Sequence, residues 1–165
     1  MIFVKKSLGQ NFLIDKNIIK KIINLTEFKN KNIIEIGPGK GALTNEILNK
    51  NPKSLTLIEK DLELANHLKE KYLLEKKVEI INCDILDFKL EETLKRNTII
   101  IGNLPYNISS QILVQMIKLK KLKTNIDGII FMFQKELGEK IVSKFPSPKY
   151  GRLSILTNFR LSIKN

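Results

Sequence analysis

The feature that most constrains this chain is an alternation of two hydrophobic periods. Short, isoleucine-rich apolar runs recur, and between them lie segments whose apolar residues fall at helical spacing. Ile33-Ile34-Glu35-Ile36, Leu55-Thr56-Leu57-Ile58, Val78-Glu79-Ile80-Ile81, residues 98–101 and residues 126–133 read as five strands. Residues 41–49, 61–74, 90–95, 109–120 and 135–144 read as helices, and 15–25 as a further helix ahead of the first strand. Asp61 and Glu63 open the second of these, which suits the positive end of a helix dipole. Strands that alternate with helices form βαβ units around a parallel sheet buried on both faces. The expected class is α/β, with a doubly wound, mainly parallel sheet. Ligands of such sheets bind beyond the carboxyl ends of the strands, where the strand order reverses.

The 165 residues suit one domain rather than two, and 42% hydrophobic residues suffice for a real core. No internal repeat, low-complexity tract or linker divides the chain. No apolar run approaches the roughly 20 residues of a membrane span, and Lys5-Lys6 and polar sequence follow Met1 to Val4 where a signal peptide would be apolar. A lone cysteine, Cys83, excludes a disulfide framework and a cysteine-based zinc site. The expectation is a cytoplasmic monomer with no metal and no membrane partner. The net charge of +12 makes a polyanion a plausible partner. A second source of the charge stays open, because Lys, Ile and Asn (26, 26 and 16 copies) all have A/T-rich codons.

The strand ends carry the candidate chemistry. Glu35-Ile36-Gly37-Pro38-Gly39-Lys40-Gly41 follows the first strand, and glycines there let a ligand approach the backbone closely. Their spacing is not that of the dinucleotide fingerprint; it resembles the E-x-G-x-G-x-G motif of class I methyltransferases that bind S-adenosylmethionine. Glu59, about 20 residues past the glycines, can accept the hydroxyls of a ribose diol. Asp84, after the third strand, can accept an adenine amino group. Its neighbour Cys83 reads as a small core residue, and the one histidine, His67, as a helix residue rather than a base. The most specific element is Gly102-Asn103-Leu104-Pro105-Tyr106-Asn107-Ile108-Ser109. Asn103 offers an amide acceptor, Pro105 a rigid carbonyl, and Tyr106 a face on which a base can stack, worth ~1–3 kcal/mol per base.

With these motifs in order, the chain resembles the ribosomal RNA adenine-N6,N6-dimethyltransferases (the KsgA-like small-subunit enzymes) and their relatives that confer macrolide resistance. Leu8 to Leu13, Gln134-Lys135-Glu136 and Tyr150-Gly151-Arg152-Leu153-Ser154 also match family signatures, so the resemblance covers essentially the whole chain. It implies a Rossmann-like fold that binds S-adenosylmethionine, over residues 1–165. Asn11, Leu13, Gly37, Gly39, Glu59, Asp84, Ile85 and Asn103 are then the cofactor residues. Asn103, Pro105 and Tyr106 hold the substrate adenine, with Phe133 as a second aromatic wall. Two acceptors on the amine hydrogens turn the nitrogen lone pair toward the methyl group, so catalysis is positioning and electrostatics with no enzyme nucleophile. The target adenine must be unpaired or flipped out of its stack.

The resemblance further implies immature small ribosomal subunits as partner. Lys5, Lys6, Lys149, Arg152 and the run Lys118 to Lys123 are candidate backbone contacts, though a solvated helix end accounts for the run equally well. Family members continue past the last residues into further strands and a small helical domain. The expectation is a sheet short of its final strands, with an exposed edge beside strand five and poor methylation of ribosomal substrate. The alternatives are a large-subunit methyltransferase of the macrolide-resistance type and a non-catalytic RNA-binding assembly factor. Leu104 after Asn103 departs from the Pro-Pro pattern of DNA adenine methyltransferases.

Overall fold

The computed structural model describes residues 12–164. In chain order they form α1 (Lys16–Ile23), β1 (Asn32–Ile36), α2 (Ala42–Leu48), β2 (Ser54–Glu59), α3 (Leu62–Lys71), β3 (Val78–Asn82) and α4 (Leu90–Thr93). Then come β4 (Thr98–Asn103), α5 (Ser109–Lys118), α6 (Leu122–Asn125), β5 (Ile126–Met132), α7 (Lys135–Val142) and α8 (Arg152–Arg160). The five strands pair in the order β3-β2-β1-β4-β5, every pair parallel. The chain builds outward from β1 to β3, then crosses back to lay β4 on the other side of β1. The order therefore reverses between β1 and β4, which fixes where a ligand can enter.

Strand periodicity divides the core in two. Ile33, Leu55, Leu57, Ile99 and Ile101 face α1, α2 and α3, where they meet Ile19, Leu43 and Leu68. Ile34, Ile36, Ile58 and Ile100 point the other way, onto Leu90, Ile112, Met116 and Leu119. Because β1 and β4 are covered on both faces, nearly every residue in them is buried, and each fully buried isoleucine contributes about 1.5–3 kcal/mol. A third cluster joins Leu113 and Ile117 of α5 to Ile141 of α7, with Leu153 and Leu156 of α8 against it. β5 lies at a sheet edge among the described residues and is only half-buried.

Local signals place the helix starts. The Asp15 carboxylate accepts the Asn17 and Ile18 amides at 2.8 and 3.2 Å, and that of Asp61 accepts the Glu63 amide at 2.9 Å. Caps of this kind contribute about 0.5–2 kcal/mol each. The helices end a few residues sooner than the periodicity suggested, and the expected 109–120 helix stops at Lys118. The cause is tertiary: both Glu91 carboxylate oxygens accept the backbone amides of Lys120 and Lys121, at 2.9 Å each. Leu119 and Leu122 turn into the core, and α6, which the sequence did not announce, follows. The lysine run is thus a tethered turn whose charged ends stay exposed.

Gly102 pairs with Ile36 in the β1–β4 ladder, and a Cβ on it would stand 2.7 Å from the Ile36 carbonyl oxygen. Backbone cannot yield as a flexible side chain can. Gly102→Ala is therefore expected to lower unfolding stability by about 1–3 kcal/mol. Gly128→Ala in β5, where nothing lies within 4 Å of the added carbon, should stay within about 0.5 kcal/mol. Urea unfolding midpoints of the two variants check the contrast.

Candidate active site

The loops that leave the strand ends surround a cavity of about 680 Å³, lined by Leu13, Glu35, Gly37, Gly39, Glu59, Asp84, Ile85, Asn103 and Pro105 among others. Small-molecule sites fall in the range of about 300–1,000 Å³. Nine of the residues singled out from sequence meet here or beside it. Asn11 lies outside the described residues, as do Lys5, Lys6 and residues 8–10.

The floor is the glycine loop. Gly37, Gly39 and Gly41 all take positive φ, at 65°, 58° and 80°. Gly37 donates to the Ile58 carbonyl at 2.9 Å, which ties the loop to the end of β2. A Cβ on Gly37 would point at the Asn103 carbonyl oxygen 3.8 Å away, so the bare backbone leaves space between the ends of β1 and β4. At Gly41, the start of α2, an added Cβ would lie 2.5 Å from the Tyr72 hydroxyl. That glycine is required by packing as well as by its left-handed backbone.

Among the carboxylates that line the cavity, three sit in contrasting environments. Glu59 is buried; its Oε2 accepts the Gly39 amide at 3.1 Å and its Oε1 the Asp61 amide at 3.0 Å. Burial pushes it above its ordinary range, and the two backbone donors oppose that shift. A carboxylate has about four lone-pair sites, so it keeps acceptor capacity for a diol. Asp84 is held low, chiefly by the Lys60 ammonium 2.6 Å away, with the Leu86 amide on its other oxygen at 3.0 Å. It is thus a fixed anion. Beside it Ile85 is buried, and its carbonyl accepts from Gln115 Nε2 at 3.2 Å.

Glu35 is the third, and sequence reasoning assigned it no role. It is 1% exposed on the α2 face of β1. Among the described residues its one side-chain hydrogen bond is with the Thr44 hydroxyl, which donates at 2.7 Å. Burial raises it from its ordinary 4.5 to about 7; Thr44 opposes this, and the nearby Glu59 carboxylate adds to it. The signal was available: an ionisable residue inside the otherwise apolar run Ile33-Ile34-Glu35-Ile36 must be buried on a strand covered on both faces.

The turn after β4 forms the remaining wall. Asn103, Pro105, Asn107 and Ile108 line the cavity, and Tyr106 stands between them, 41% exposed. The Pro105 carbonyl accepts the Ile108 amide at 3.2 Å, which closes the turn and leaves its second lone pair for a ligand. Phe133 takes a different place from the one expected of an aromatic wall. Its ring packs edge to face on Phe131, centroids 6.0 Å apart, and enters the apolar clusters under α5 and α7. The cause is its position just past β5, where burial against Leu113 and Ile117 outweighs exposure at the cavity. Cys83 packs partly into the core, with its thiol pushed up by burial, and His67 is half-buried on α3. Among the described residues no group of three His, Cys, Asp or Glu side chains could hold a metal, and no helix is long and apolar enough to cross a membrane.

A glycine cradle and acidic strand ends at the switch point of a parallel sheet define a class I S-adenosylmethionine-dependent methyltransferase fold. Comparison with known proteins narrows the class. The family model described as ribosomal RNA adenine dimethylase matches residues 2–165, and the chain belongs to that family. It is 46% identical over 160 residues to the ribosomal RNA small subunit methyltransferase A of Pelagibacter ubique, covering 97% of this chain and 60% of that protein. The chain thus spans about three-fifths of the length of that curated relative. The crystal structure of a dimethyladenosine transferase from Plasmodium falciparum superposes with a TM-score of 0.78 at 27% identity, covering 90% of this chain and 52% of that one. The 23S rRNA methyltransferase ErmE superposes with a TM-score of 0.68 at 28% identity, covering 89% and 55%.

Glu35 also generates a stability prediction. A carboxyl raised in the folded state favours folding while it is protonated, and that advantage is lost as pH rises from 4.5 to about 7. Glu35→Gln removes the cost of burying the charge. Relative to the parent, the variant should gain stability through that window and level off above it, by about 3 kcal/mol at ~1.4 kcal/mol per pH unit. Urea unfolding of both proteins across the window measures the gain.

Proposed function

We propose that residues 1–165 carry the methyl-transfer domain of an enzyme that methylates the N6 amine of adenines in small-subunit ribosomal RNA, to N6,N6-dimethyladenosine. The observation that carries the reading is the turn Asn103-Leu104-Pro105-Tyr106, which puts Asn103 and Pro105 on the cavity wall and leaves the next residue, Tyr106, 41% exposed. Family membership supports adenine as the base and its dimethylation. The name of the Pelagibacter relative supports the small subunit over the large one.

S-adenosylmethionine fits the cavity by size and by the donors and acceptors at the strand ends. Leu13, Gly37 and Gly39 would border it, with Asn11 from the segment before them. Glu59 would take the ribose hydroxyls, Asp84 the adenine amino group, and the Ile85 backbone would lie beside the ring. The cofactor supplies a methyl group already activated on a sulfonium. What remains for the protein is placement. The Asn103 amide oxygen and the Pro105 carbonyl accept the two hydrogens of the substrate amine, which draws its lone pair out of the ring and aims it along the transfer line. Tyr106 stacks on the flipped base. Once bound, the cofactor would give up its methyl group to that nitrogen, and the amine proton would leave to water. The excess of lysine gives the RNA backbone a basic surface.

The test is incubation with labelled S-adenosylmethionine and unmethylated small or large subunits, followed by mapping of the labelled nucleotide. Label on small-subunit adenines is the expected result. Asn103→Ala should lower transfer by at least ~10²-fold while the fold persists. Label confined to large subunits, or a ribosomal phenotype that survives Asn103→Ala, would point to the macrolide-resistance type of enzyme or to an assembly factor.

A further inference from the structure

Glu35 is a buried ionisable group in the cavity wall that the transfer mechanism does not use. It sits one residue from the end of β1, and the Gly37 cradle begins two residues later. The groups that face it come from three elements. Thr44 of α2 donates to it; Glu59 at the end of β2 is a like charge; Lys71 of α3 is an opposite one. Tyr72 of α3 adds a phenol that burial holds protonated, donating to Asn45 Oδ1 at 2.7 Å. In the sheet its ladder partners are Leu57 of β2 and Ile101 of β4, both apolar. Lys71 donates to the Lys40 carbonyl at 3.0 Å and acts on Glu35 through space.

We propose that Glu35 determines preference between methyl donor and product: its carboxyl releases a proton when the sulfonium donor enters the cavity and keeps it when the thioether product does. The inference rests on the reading of this cavity as the donor site. The two ligands differ by one methyl group and one positive charge. A cation brought beside a buried carboxyl favours the ionised form, and an uncharged sulfur does not. By linkage, donor affinity rises with pH while Glu35 ionises, whereas product affinity is nearly indifferent. Near neutrality, where Glu35 is balanced between its two forms, the site therefore discriminates against its own product. Thr44 sets where that window lies, because its hydroxyl donates to the carboxylate.

The experiment is calorimetric titration of the chain with S-adenosylmethionine and, separately, S-adenosylhomocysteine, in buffers of different ionisation enthalpy. The parent should release a substantial fraction of a proton on binding the donor near about pH 6.5 and much less on binding the product. Its donor Kd should fall severalfold between about pH 5.5 and 7.5, with ~10-fold per pH unit as the limit for one linked proton. Glu35→Gln should abolish the excess release and flatten the profile, and subtracting it removes the ligands' own titration. Thr44→Val, the second variant, should move the release window to higher pH. Equal proton release with both ligands, or a profile that neither variant changes, overturns the inference and leaves the cofactor reading standing. A folded chain that binds neither ligand overturns both.

Discussion

The parallel pairing of β1 with β4 is the contact on which the rest of the structure depends. It sets Ile36 opposite Gly102 and so brings the ends of two strands, distant in sequence, side by side. Backbone approaches backbone so closely there that only glycine fits on the β4 side. From that juncture Gly37 and Asn103 diverge as the floor and wall of one cavity. The reversal of strand order between β1 and β4 means that no helix crosses over this point, which is why the cavity is open at all.

Burial and partnership then give three carboxylates different electrostatic characters within one cavity. Asp84, beside Lys60, is a permanent anion. Glu59, held by two backbone amides, is an acceptor fixed in orientation and bonded to the loop it faces. Glu35, buried with one hydroxyl donating to it, is balanced near neutrality. The same functional group thus serves as charge, as acceptor and as a proton reservoir, according to what donates to it.

Most of the fold was legible in the periodicity, because strands covered on both faces must be apolar throughout and helices covered on one face must be amphipathic. Where the reading failed, a tertiary contact overrode a local pattern. The helix expected to reach residue 120 ends at Lys118 because Glu91, almost thirty residues earlier, captures the next two free amides. Phe133, just past the end of β5, reads as available to a ligand in sequence but is drawn into the packing of α5 and α7.

The sequence by itself determined the class of fold, the family resemblance and the candidate residues that stand at the strand ends. Each of these is a local pattern: glycines at a strand end, an acid one βαβ step later, and an asparagine and a proline flanking a leucine. Only the tertiary structure decided how those residues behave. The free energy of an ionisable group depends on what surrounds it in space, and Glu35 in a run of isoleucines shows only that it is buried. That Thr44 donates to it, that Glu59 and Lys71 flank it with opposite charges, and that it borders the cavity all follow from β1, β2, α2 and α3 meeting in three dimensions.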